Sequence, residues 1–237
     1  MVMAAAVFLA GGVVKGTLGI GLPLVSVPLL SLFIPATQAI ALVAMPVLVS
    51  NAWQALNSGK LQGLRRFAPL IATQLVTTLL TVPMTLSMSA RALNAALGAV
   101  ILLAVALLCL PLRLQVAPER EQWWSAGIGA LSGVTGGVSS LTGPLIISYL
   151  VSLRLSREVF IGSISLIYLG SAIPLYALMA WYGRLGGAEL ALSALALAPM
   201  ALGLALGRKL RSHLSEIWFR RMLLAFLCVV AVVLALK

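Results

Sequence analysis

Lys15 is the residue whose type and setting most demand a chemical account. It stands in an apolar stretch, and no charged residue follows it until Lys60. A base embedded in apolar sequence is costly and marks an ion or substrate path; the alternative is a lysine that snorkels its ammonium to an interface. Beside it lie Gly16, Thr17, Gly19 and Gly21. A second cluster, Gly136, Gly137, Ser139, Ser140 and Thr142, sits in the run SGVTGGVSSLTGP from Ser132 to Pro144. Glycine and proline break helices and free backbone amides. Hydroxyls and amides at such breaks can bond an oxyanion, and short-helix N-termini following each break add positive dipole ends. Alternatively, these hydroxyls cap helices or bond carbonyls one turn back. Asn51, Gln54 and Ser171 fall in apolar segments, with Trp53, Pro174, Tyr168 and Tyr176 nearby. They line a cavity or join helices to one another.

This inventory suits a binding site for a small anion and no catalytic centre. An intramembrane enzyme needs a nucleophile–base pair or metal ligands, and no His, Asp or Cys cluster supplies one. Catalytic residues, metal and cofactor are therefore all expected to be absent. The chain has no Asp. Its acids, Glu119, Glu121, Glu158, Glu189 and Glu216, read as loop residues, so a buried carboxylate proton relay is not expected. His213 stands in a basic loop and reads as solvated. Cys109 and Cys228 read as small buried hydrophobes rather than a disulfide pair. No nucleotide-binding motif is present, which excludes ATP-driven transport by this chain alone.

The elements that hold these residues follow from composition. Of 237 residues, 62% are hydrophobic and 9% charged, and the mean hydropathy is +1.12. Soluble domains carry about 25% charged residues. This deficit marks an all-α integral membrane protein, with the lipid bilayer as its surroundings. The net charge of +11 does not indicate a nucleic-acid partner. The bases lie between apolar runs, as the positive-inside rule places them, and no basic face interleaved with aromatics exists. The start MVMAAAVFLAGG lacks a basic n-region and reads as the first membrane segment rather than a cleavable leader. Trp123, Trp124, Trp181, Tyr182 and Trp218 read as interfacial anchors.

Charge-free stretches predict crossings at Thr37–Ser58, Phe67–Ala90, Ala92–Leu112, Val159–Gly183, Leu190–Gly207 and Met222–Leu236. Two apolar regions, Met1–Ile34 and Trp123–Leu153, are interrupted. Leu22–Ile34 spans about 20 Å as helix at about 1.5 Å per residue, short of the hydrocarbon core at about 30 Å. Each region is therefore expected to be a hairpin of two short helices meeting near the midplane, giving about eight membrane segments.

The halves also match. Gly16-Thr-Leu-Gly19 aligns with Gly133-Val-Thr-Gly136, Pro28-Leu-Leu with Pro144-Leu-Ile, Ala41–Leu56 with Ile161–Tyr176, and Gly59-Lys-Leu with Gly183-Arg-Leu, at an offset of about 120 residues. Residues 1–114 and 123–237 read as two membrane repeats joined by a polar connector, 115–122. Loops 57–66 and 208–221 are basic and expected in the cytoplasm of a multi-pass inner-membrane protein. Their repeat partners carry little net charge, so the repeats are expected in inverted topology. Inverted repeats with broken helices characterise secondary transporters, with the site where the breaks meet. A non-transporting assembly subunit is the alternative; it has no need of two interruptions at equivalent positions. Whether the chain forms a homo-oligomer is open.

The breaks GTLGIG with Pro28-Leu29, and GVTGGVSSLTG with Pro144-Leu145, resemble the sulfite exporter TauE/SafE family of bacterial membrane transporters across essentially the whole chain. That resemblance implies transport of sulfite, sulfonates, sulfur-containing organic anions or related small anions. The first break, Gly19-Ile-Gly21, is shorter than the glycine run common in that family.

Overall fold

The computed structural model describes residues 2–18, 21–57, 63–109, 116–210 and 216–236, and among them every regular element is helical. The helices are α1 (Val2–Leu18), α2 (Leu22–Ser31), α3 (Ala36–Leu42), α4 (Ala44–Asn57), α5 (Gly63–Arg66), α6 (Ala68–Ser87) and α7 (Ala90–Cys109). After a 3₁₀ turn at Pro118–Arg120 come α8 (Glu121–Ser139), α9 (Gly143–Ser152), α10 (Arg157–Trp181), α11 (Gly187–Leu195), α12 (Leu197–Leu210) and α13 (Glu216–Leu236).

Among the described residues, five stretches are long and apolar enough to cross a membrane: Ala36–Asn57, Ala68–Ser87, Ala90–Cys109, Val159–Trp181 and Gly187–Leu210. They coincide with five of the expected crossings. The sixth lies within α13, whose apolar part, Arg221–Leu236, is shorter. Apolar exterior faces carry exposed Leu79, Leu80, Leu102, Leu103, Val229, Val232 and Val233, as lipid-facing helices do.

Both interrupted regions fold as helix pairs, α1 with α2 and α8 with α9, but not as two equal short arms. The first arm of each pair has 17 or 19 residues and the second has 10. Nor do all the glycines of these regions stand at the interruptions; Gly21 does. Gly16, Gly133, Gly136 and Gly137 all lie inside helices.

The reason is close packing. A Cβ on Gly16 would come 2.9 Å from Gly207 Cα of α12, and one on Gly207 would come 3.0 Å from Gly16 Cα. Gly12 and Gly203 extend the same contact. On α8, Gly129, Gly133 and Gly137 face α6, where a Cβ on Gly137 would meet Thr81 Cβ at 2.9 Å. Thr73 Oγ1 donates across this interface to the Ala126 carbonyl at 2.9 Å. Small residues that let two backbones approach, with hydroxyls bridging them, are how membrane helices associate in lipid. The first helix of each half thus packs on a long helix of the other, α1 on α12 and α8 on α6.

One backbone carbonyl freed inside the apolar interior finds a partner from a distant helix. Pro46 has no N–H to offer the Leu42 carbonyl one turn back. Ser193 of α11 donates to that carbonyl at 2.8 Å and accepts from Met45 N at 2.9 Å, closing the joint between α3 and α4.

Several expectations change. The five glutamates lie at element starts rather than in loops: Glu121, Glu158, Glu189 and Glu216 each open a helix, and Glu119 sits in the 3₁₀ turn. Glu121 and Glu189 stand in first turns, where exposed N–H groups stabilise a carboxylate, and Gly186 N donates to Glu189 Oε2 at 3.0 Å. Helix α8 begins at Glu121, inside the expected connector. Cys109 is exposed, and Cys228 is half-buried against the edge of the hydrophobic core; neither is fully buried. His213 lies outside the described residues. Trp123, Trp124, Trp181 and Tyr182 are exposed at helix ends.

Candidate functional site

Between the two helix pairs lies a cavity of about 350 Å³. Its polar wall is made by Lys15, Asn51, Gln54, Ser140, Thr142, Tyr168 and Ser171, and its floor by the first turns of α2 and α9. The remaining wall is apolar, including Leu108, Phe160, Ile164 and Leu175.

The two first turns are built alike. Helix α2 opens Leu22-Pro23 and α9 opens Gly143-Pro144, so each has proline in its first turn, where the missing N–H would be unpaired anyway. Neither N-cap, Gly21 nor Thr142, supplies a side-chain cap. The N–H groups left over at each helix start are therefore unclaimed by a capping side chain in turns that line the cavity, and each helix brings the positive end of its dipole there. Pro23, not Pro28, is thus the counterpart of Pro144; Pro28 lies within α2.

Above these two N-termini stands Lys15, 6% exposed. Its Nζ donates to Ser50 Oγ at 2.7 Å. An ammonium has three N–H groups, which leaves two for the cavity. No described carboxylate pairs with it. A buried, uncompensated ammonium is costly without an anion. Lys15 lies in the last turn of α1, buried in the cavity wall.

The other expected residues divide cleanly. Lys15, Gly21, Asn51, Gln54, Ser140, Thr142 and Ser171 line the cavity. Gly16, Thr17, Gly136, Gly137 and Ser139 do not. Thr17 Oγ1 donates to the Val13 and Val14 carbonyls, and Ser139 Oγ donates to the Thr135 carbonyl while accepting from Leu141 N at 3.2 Å. These are the local backbone bonds typical of such hydroxyls. Gly136 spaces α8 from Ser171, whose Oγ would lie 2.7 Å from a Cβ there. Gly19 lies outside the described residues. Asn51 Nδ2 is held by the Val47 carbonyl at 2.9 Å, leaving its acceptor end toward the cavity. Ser165 Oγ touches Gln54 Oε1 at 3.5 Å. Trp53 points outward and is 67% exposed. Tyr176 lies behind the wall and shares a 3.1 Å bond with Ser140 Oγ.

Sequence reasoning passed over Leu22, Pro23 and Gly143. A usable signal existed: each helix pair has a proline two places into its second arm. Matching Pro28 to Pro144 hid it.

Helices long and apolar enough to cross a membrane thus surround a cavity lined by two helix starts without side-chain caps and a buried lysine, an architecture that fits a membrane transporter. The chain belongs to the sulfite exporter TauE/SafE family, whose model matches residues 3–234. No curated protein and no solved structure matches it significantly.

Proposed function

We propose that this protein is a secondary transporter or facilitator for small anions: sulfite, sulfonates or related sulfur-containing organic anions. The observation that carries this reading is the convergence of Lys15 and the uncapped N-termini of α2 and α9 on one cavity. Each of the three favours negative charge, and among the described residues no carboxylate lines the cavity to oppose them. The anionic group sits against the two first turns and the ammonium. Asn51, Gln54, Ser140, Thr142 and Ser171 orient the rest of the molecule, and the apolar wall excludes bulk water.

The same reading takes the two halves as inverted repeats in the bacterial inner membrane, each a helix pair and three crossings. The reciprocal pairing of α1 with α12 and α8 with α6 supports this, as does the matched build of α2 and α9. The basic loops 57–66 and 208–221 face the cytoplasm on this view.

Uptake of labelled sulfite, sulfoacetate, taurine and sulfate into proteoliposomes tests the function. Saturable flux of at least one anion is expected, and none for any would end the reading. Single cysteines at positions 58 and 212 should react from the cytoplasm and one at Gly186 from outside. Gly186 and position 212 reacting from one side would refute the inverted arrangement.

A further inference from the structure

Behind the cavity wall, where α6, α8 and α10 meet, lies a cluster of neutral oxygens that shares only Ser171 with the anion site. Gln74 of α6 is fully buried, and both its Nε2 and Oε1 lack a hydrogen-bond partner. A buried amide left unpaired costs about 1–3 kcal/mol per group, and placing one inside a membrane protein is expensive without a purpose. Thr78, one turn further along the same face, is also fully buried. Its Oγ1 lies 3.3 Å from the Gly133 carbonyl and 3.5 Å from Ser171 Oγ. Both spacings exceed the usual hydroxyl hydrogen bond of about 2.7–2.8 Å. Gly170 of α10 faces Gln74, since a Cβ there would lie 3.7 Å from Oε1. Its carbonyl has lost its helical donor, because residue 174 is proline.

We propose that Gln74 Oε1, Thr78 Oγ1, Gly133 O, Ser171 Oγ and Gly170 O form a binding site for a monovalent cation of sodium's size. A shell of oxygens at about 2.4 Å, as around the similarly sized Ca²⁺, spaces neighbouring ligands by about 3.4 Å. The Thr78 spacings match that edge. The ligand set carries no formal charge, which suits one positive charge and not two. Ser171 also lines the anion cavity, so a cation here lies one side chain from the anion. Each ion therefore strengthens the other's binding, and by linkage the factor is the same in both directions. The coupling, though not the cation site itself, rests on the anion-transport reading above.

The test measures thermal unfolding of the purified protein in NaCl and in equimolar choline chloride, and anion uptake into proteoliposomes in the same salts. Sodium should raise the Tm, and it should lower the KM for the transported anion about tenfold. Gln74→Leu and Thr78→Val should abolish both responses; Thr78→Ser, which keeps the oxygen, should retain them. Equal Tm in both salts would overturn the site, and leave a filling water as the occupant of the cluster. A sodium-specific Tm shift that persists unchanged in Gln74→Leu and Thr78→Val would overturn its location. Uptake that proceeds identically in both salts would refute the coupling while sustaining the transport function. A sodium shift in Tm with no uptake of any anion would sustain the cation site and refute the transport reading. The salt comparison needs only the wild-type protein, so a variant that fails to fold does not spare the proposal.

Discussion

The two helix breaks occupy matching places, yet they are made differently. At the first, Gly21 takes φ +103°, a conformation glycine adopts without strain. At the second, Ser140 takes φ 61°, at about 1–2 kcal/mol for a side chain bearing a Cβ. Two bonds offset that cost: Ser140 N donates to the Gly136 carbonyl at 2.7 Å, ending α8, and Ser140 Oγ meets Tyr176 OH. The first helix pair brings the charge, through Lys15. Its counterpart on α8 is Ser132, which is fully buried and bonded to the Gly129 carbonyl. The second pair brings the hydroxyls. A similar frame thus carries a divided chemistry, with cation on one side and neutral donors on the other.

Removing the charge should have the largest effect. Lys15→Ala deletes a charge-assisted donor worth about 1.5–3 kcal/mol, about ten- to a hundredfold in anion affinity. Lys15→Arg should keep part of it. Ser132→Ala, at the counterpart position, should leave KM within about twofold. Uptake kinetics on the three variants decide the matter. Unchanged KM in Lys15→Ala, or an equal loss in Ser132→Ala, would erase the division of labour.

The helix contacts that hold both pairs give the next largest effect. On α8, Gly133 is pressed on Gln74 and Thr77 of α6, whereas a Cβ on Gly127 would meet nothing within 4 Å. Gly133→Ala should cost about 1–3 kcal/mol through overpacking, a drop of several degrees in Tm for a chain of this size. Gly127→Ala should change Tm by less than about 1 °C or raise it slightly, since alanine is the better helix former. Equal effects at the two positions would contradict the close approach of α8 and α6.

How much of this was legible in the chain depended on which physical signal each feature leaves. The crossings were readable to within a few residues because hydrophobicity and charge spacing dictate them. Lys15 was readable because a lone base in apolar sequence has few alternatives. The glycines were misread. Gly133 and Gly137 look like helix breakers in one dimension, but their four-residue spacing puts them on one helix face, where backbone approach is what they permit. Thr17 and Ser139 were equally ambiguous, since a hydroxyl that caps its own helix has the same sequence signature as one that binds a ligand. The α2 N-terminus was hidden because Pro28, though inside the helix, sits in a more conspicuous Pro-Leu pair than Pro23. Gln74 was missed because a glutamine in an apolar segment announces polarity but not whether it finds a partner.

The strain at the breaks separates them further. Gly21→Ala forces a Cβ into the left-handed region and should cost about 1–2 kcal/mol. Ser140→Gly relieves that same strain but loses the Tyr176 contact, about 1 kcal/mol in the other direction, so Tm should move little. Thermal unfolding of the pair checks this, and a larger loss in Ser140→Gly than in Gly21→Ala would show that the hydroxyl, not the backbone, sustains the second break.

The smallest effect is expected where the two halves meet at their polar rim. Arg66 donates to Glu121 from Nε and Nη2, at 2.5 and 2.9 Å, a two-pronged pair joining the end of α5 to the start of α8. By geometry alone this is the strongest polar contact between the halves. Yet Arg66 is 44% exposed and Glu121 20%. Water solvates either partner when the other is removed, so no buried charge is stranded, unlike at Lys15. Exposed pairs of this kind contribute about 0.2–1 kcal/mol. The Glu121 backbone also keeps its own tie, from Tyr149 OH at 3.3 Å, and that hydroxyl is shared with buried Ser125 at 2.6 Å. Between the halves, the packing of α6 on α8 and the Thr73–Ala126 bond remain, so the joint survives loss of the ion pair. A double-mutant cycle of Arg66→Gln and Glu121→Gln should give a coupling below about 1 kcal/mol that shrinks further in 1 M salt. A coupling well above that, insensitive to salt, would mean that the pair is shielded from water and acts as a latch between the halves.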